Sequence, residues 1–91
     1  MRFFGLIGYP LGHSFSKIFF TEKFEKENIP AQYELYPLET ISQFTTLVSS
    51  VDLTGLNVTI PYKEQVIPFL DELNETAAEI GAVNVIKFIR Q

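Results

Sequence analysis

Ninety-one residues suffice for one compact domain and are too few for a two-domain enzyme. A hydrophobic fraction of 46%, with nine Phe, supplies the apolar mass for a core and excludes an intrinsically disordered chain. Seven Lys plus Arg against eleven Asp plus Glu give a formal charge of −4 with no basic run, so nucleic acid is not an expected partner; the absence of Cys removes disulfides, thiolate metal sites and cysteine nucleophiles.

In chain order, Phe3 to Ile7 reads as a buried first strand, too short for a bilayer span or a signal-peptide core, so no membrane partner and a cytoplasmic location are expected. Gly8 to Ser16, with its glycines, proline and serines, is a loop that ends in helix-capping chemistry. A helix is predicted from Phe15 to Asn28, with Phe15, Phe19 or Phe20, and Phe24 on one face and Glu22, Lys23, Glu25, Lys26 and Glu27 on the other. Tyr33 to Tyr36 alternates as a strand does, until Pro37 breaks it. Thr40 and Gln43 have capping-box spacing and open a second helix, with the stripe Ile41, Phe44, Leu47 and Val48 ending near Ser50.

Leu53 to Ile60 alternates with period two, placing Leu56, Val58 and Ile60 on one face and Asn57 and Thr59 on the other. Pro61 suits the start of a short helix through Val66 and Phe69. A further helix from about Thr76 to Ile80 is closed by Gly81, and Ala82 to Ile89 forms the last strand. The fold class is α/β: a three-layer sandwich whose mainly parallel, mixed sheet is covered by helices on both faces, with ligands beyond the carboxyl ends of the strands.

The first strand leads into Gly5, Gly8 and Gly12, but the spacing is G-x-x-G-x-x-x-G and Pro10 removes a backbone donor, so no dinucleotide fingerprint is present, nor a Walker A motif. Ser14 and Ser16 lie where a strand and loop deliver the chain into a helix, a place where hydroxyls and N–H groups attract an anion; equally, one serine caps the helix and the other is solvated. His13 alone cannot build a zinc site and suits loop ordering. Lys63 follows the third strand directly and, in the first turn of a helix, opposes the dipole. Either it snorkels to solvent or it is tuned to exchange a proton with a substrate hydroxyl. Asn84 is one amide among apolar strand residues, satisfied by neighbouring backbone or by ligand hydroxyls. Asp71, Glu72, Glu75 and Glu79 read as a solvated face, not a carboxylate pair or metal site.

Three segments in this order resemble the amino-terminal, substrate-binding domain of shikimate dehydrogenase. Gly8-Tyr9-Pro10-Leu11-Gly12-His13-Ser14-Phe15-Ser16 is similar to the family's G-x-P-x-x-H-S-x-S, Asn57 to Lys63 to its N-V-T-x-P-x-K, and Gly81-Ala82-Val83-Asn84 to its G-A-V-N. Lys17 and Val85 replace residues commonly proline and threonine in the family, and neither removes a proposed contact. The resemblance implies that residues 1–91 are the substrate half of an NADP-dependent oxidoreductase interconverting 3-dehydroshikimate and shikimate in aromatic amino-acid biosynthesis. Ser14 and Ser16 would hold the substrate carboxylate, Thr59 and Asn84 the ring hydroxyls, and Lys63 would be the catalytic lysine. The family's catalytic aspartate and its glycine-rich NADP domain correspond to nothing in this chain, which is expected to be inactive alone and to self-associate through exposed apolar surface. The competing expectations are a stand-alone binding module for small hydroxy-carboxylates and a dehydrogenase relative that also takes quinate.

Overall fold

The computed structural model describes residues 1–12 and 15–89. Four strands, β1 (Arg2–Gly8), β2 (Ala31–Pro37), β3 (Leu53–Val58) and β4 (Val85–Lys87), form one sheet in the order β2-β1-β3-β4. β1 runs parallel to both β2 and β3, and β4 closes the far edge antiparallel to β3. Helix α1 (Phe15–Lys26) connects β1 to β2 and lies on one face. On the other lie α2 (Gln43–Ser50), α3 (Tyr62–Gln65), a 3₁₀ turn (Ile67–Phe69) and α4 (Glu75–Ile80). This is the expected sandwich with a mixed sheet, built from crossovers that place helices on both faces.

The closed face is apolar. Ile7, Leu56, Val58 and Ile86 project from the strands onto Phe44, Tyr62 and Val66, and Ile7 and Val66 are fully buried. The Tyr62 hydroxyl donates to the Leu38 carbonyl, so this polar tip is satisfied within the apolar layer. Among the described residues no helix is long and apolar enough to cross a membrane.

Several local expectations shift. The α1 stripe turns inward at Phe20 and Phe24, which pack on Tyr33 and Phe4, while Phe15 and Phe19 are exposed. Aromatics on two faces make the helical period ambiguous. α1 ends at Lys26, with Asn28 at a left-handed φ of 54° and the Ile29 N–H bonded to the Phe24 carbonyl at 2.8 Å, a Schellman closure. The expected capping box does not form: α2 starts at Gln43 after Ser42, which makes no side-chain cap bond, and the Gln43 side chain accepts from the Glu39 N–H at 2.8 Å instead of from Thr40. Pro61 is the residue before α3 and not its first. Asn74 caps α4 by accepting the Ala77 N–H at 2.8 Å, and Gly81 closes it at φ 76°. The final strand shrinks to Val85–Lys87, whose ladder with β3 runs along Gly55–Asn57.

Candidate functional site

Main-chain pairing gathers the candidate residues at one end of the sheet. β1 and β3 are parallel neighbours, so both reach their carboxyl ends at the same edge. Just past it the Thr59 N–H donates to the Ile7 carbonyl at 2.9 Å and the Tyr9 N–H to the Ile60 carbonyl at 3.1 Å, stitching the two exits together. On the other flank the Val58 N–H donates to the Asn84 carbonyl at 2.7 Å, and the Val83 N–H to the Lys63 carbonyl at 2.8 Å. Thr59, Lys63 and Asn84 therefore stand on adjoining backbone segments, although up to 25 positions separate them in the chain.

Thr59 is half-buried against Gly8, where a Cβ would collide with the Thr59 methyl; glycine at position 8 lets the β1 exit approach the threonine. Lys63 is half-buried in a helix of only four residues. Few peptide dipoles sum over a single turn, so its place owes less to helix electrostatics than the sequence suggests and more to the pairing with Val83. Asn84 lies at a bend outside β4 and is exposed, in contrast to the buried strand amide expected, and so does not depend on the protein to satisfy its side chain.

Ser16 is the second residue of α1, half-buried beside Tyr33. Ser14 and His13 lie outside the described residues. The Tyr33 hydroxyl accepts from Asn57 Nδ2 at 2.8 Å. Burial lifts the Tyr33 phenol above its ordinary range, opposed in part by the nearby Asn57 and Ser16 side chains; burial and the Glu34 charge lift Tyr36 likewise. The sequence reading missed this Tyr33–Asn57 pair. Its available signal was a tyrosine in an alternating strand, whose hydroxyl needs a partner once the ring is buried.

A Cβ at Gly5 would meet the Tyr36 ring and the Glu34 carbonyl, so the space that a pyrophosphate would need is filled by protein. Gly5 therefore offers no cradle for the pyrophosphate of NADP. Among the described residues no group of three His, Cys, Asp or Glu could hold a metal ion, and Asp71, Glu72, Glu75 and Glu79 are all exposed. A hollow of about 440 Å³ opens on the α1 side over Phe4, Gly55, Asn57 and Val85. It excludes Thr59, Lys63 and Asn84 and is predominantly apolar, so it is distinct from the polar rim.

The family model described as the shikimate dehydrogenase substrate binding domain matches residues 6–86. The shikimate dehydrogenase (NADP(+)) of Geobacillus kaustophilus strain HTA426 is 44% identical over 87 residues, 93% of this chain and 32% of that protein. The crystal structure of shikimate dehydrogenase 1 from Peptoclostridium difficile is similar with a TM-score of 0.90 at 37% identity, covering 98% of this chain and 35% of that one. The Thermus thermophilus enzyme, in complex with shikimate, gives a TM-score of 0.88 at 27% identity over the same shares, 98% and 35%. This chain thus spans about a third of the length of the relatives it matches. With the family match covering most of the sequence and the sheet order and both helical layers in place, the chain belongs to the shikimate dehydrogenase substrate-binding domain family.

Proposed function

We propose that residues 1–91 form the substrate-binding domain of an NADP-dependent shikimate dehydrogenase acting on 3-dehydroshikimate and shikimate in the cytoplasm, with the cofactor held by a domain outside this chain. The convergence of Thr59, Lys63 and Asn84 at the carboxyl ends of β1 and β3 carries the reading. Ser14 and Ser16 donate to the substrate carboxylate. Thr59 and Asn84 exchange hydrogen bonds with ring hydroxyls, which suit a neutral hydroxyl and amide because each offers both donor and acceptor. Lys63 gives a proton to the carbonyl oxygen on reduction and takes it back on oxidation. The catalytic aspartate and the nucleotide contacts come from the rest of the enzyme, which is why the isolated chain binds without turning over.

Titration of the 91-residue chain with shikimate, followed by amide NMR, tests this. Signals of Ser14, Ser16, Thr59 and Asn84 are expected to shift together; no shift at millimolar ligand overturns the reading.

A further inference from the structure

Tyr62 belongs to the dry layer, yet it stands next to Lys63 in a helix too short to hold its own position. α3 is the four residues Tyr62–Gln65, and a single turn gains little from its internal bonds, so its placement comes from bonds to other parts of the chain. On the β4 side the Val83 N–H donates to the Lys63 carbonyl at 2.8 Å, and toward β3 the Tyr62 N–H donates to the Thr59 carbonyl at 3.0 Å. On the β2 side the Tyr62 hydroxyl donates to the Leu38 carbonyl, across 24 positions of chain. The Leu38 N–H donates in turn to the Gly8 carbonyl at 3.1 Å. One phenol thereby ties α3 to the exits of both β1 and β2.

Apolar packing holds the Tyr62 ring in the layer without fixing its depth or angle, because that attraction has no direction. The bond to Leu38 does have one. Successive side chains leave a helix about 100° apart, so with Tyr62 only 3% exposed, its neighbour Lys63 is turned to the half-buried rim, and any shift or rotation of the tyrosine is passed to the base of the lysine. Thr59 does not share this dependence. Its N–H is bonded to the Ile7 carbonyl, and the Ile60 carbonyl beside it accepts the Tyr9 N–H.

We propose that Tyr62 is a positioning residue for Lys63: its hydroxyl, bonded to the Leu38 carbonyl, fixes the depth and rotation of α3 and so the point from which the lysine amine reaches the substrate. The inference rests on the reading of Lys63 as the proton-transfer residue.

In the full enzyme, Tyr62→Phe keeps the buried ring and removes only the hydroxyl. It is expected to lower kcat per folded molecule about fivefold to thirtyfold, below the roughly 10²-fold that a misplacement of about 1 Å can cost, while the KM for shikimate changes less than about twofold. A merely structural tyrosine would lower the melting temperature and leave kcat of the folded enzyme as it was. Since Tyr62 acts through Lys63, the double variant Lys63→Ala/Tyr62→Phe should turn over no more slowly than Lys63→Ala alone. If Tyr62→Phe does not fold, replacement of Tyr62 by 4-aminophenylalanine provides the test: the same ring then carries a weaker N–H donor, and kcat is expected at least about twofold below that of the parent with KM unchanged. If Lys63→Ala lowers turnover but the change at Tyr62 leaves kcat unchanged, or raises KM instead, or multiplies its loss with that of Lys63→Ala, the Tyr62 role is overturned while the Lys63 reading stands. If Lys63→Ala leaves turnover unchanged, the proton-transfer reading itself falls and takes this one with it.

Discussion

On the α2–α4 side of the sheet, Ile7, Leu56, Val58 and Ile86 meet Phe44, Tyr62 and Val66 in a dry layer, whereas on the α1 side Tyr33 carries a hydroxyl across β1 to an amide, beside a hollow of about 440 Å³. The first face holds the sheet together through area removed from water, a term that does not depend on direction. The second sets where particular polar groups point, and there direction is everything. The rim of Thr59, Lys63 and Asn84 has its backbone pinned by strands anchored in the dry layer, with Thr59 and Lys63 half-buried and Asn84 exposed. Stability and chemistry therefore separate, and substitutions should reveal which side a residue serves.

The largest effect is expected at Lys63, on the chemical side. Lys63→Ala in the full enzyme should lower turnover on the order of 10²–10⁴-fold with little change in KM and in melting temperature; unchanged turnover would remove the proton-transfer role. On the stability side, Ile7→Ala, at a fully buried position, should cost about 2–5 kcal/mol in denaturant unfolding, a large part of what a domain of this size has. Ile18→Ala, at a position 58% exposed on α1, should cost less than about 0.5 kcal/mol, and equal losses at the two would break the contrast between faces.

Gly8→Ala bridges the two sides. The added methyl meets the Thr59 methyl, so the variant should lose about 1–3 kcal/mol and weaken shikimate binding at the same time; a loss of stability with unchanged binding would detach Gly8 from the site. The smallest effect is alkaline. The phenols of Tyr33 and Tyr36 titrate above the ordinary 10.0 in the fold, so the unfolded chain releases these protons first. Their contribution is complete below pH 10 and is lost as pH rises through the folded values, and Tyr33→Phe should flatten that alkaline decline in a pH series of melting temperatures.

The alternation in Leu53–Val58 and the glycine after Ile80 were legible because each is a local rule: side chains alternate along a strand, and a left-handed closure favours glycine. What escaped the sequence is long-range. Phe15, Phe19, Phe20 and Phe24 allow two helical faces, and only the presence of Tyr33 and Phe4 beneath selects Phe20 and Phe24. The Asn57–Tyr33 bond joins residues 24 apart, and no spacing rule pairs an amide on one strand with a phenol two strands away. Asn84 looked buried because its neighbours are apolar, yet the antiparallel pairing of β4 begins only at Val85. At the site, residue types and their order could be read directly. Their meeting depended on the Val58–Asn84 and Val83–Lys63 backbone bonds, which no local pattern encodes.

A crystal structure of the enzyme with shikimate is the most direct test of the central claim, that these polar groups bound a single substrate site. The account predicts the carboxylate at the start of α1 against Ser16 and the ring hydroxyls against Thr59, Lys63 and Asn84. Shikimate seated instead in the apolar hollow over Phe4 and Val85, with Lys63 out of reach, would contradict it.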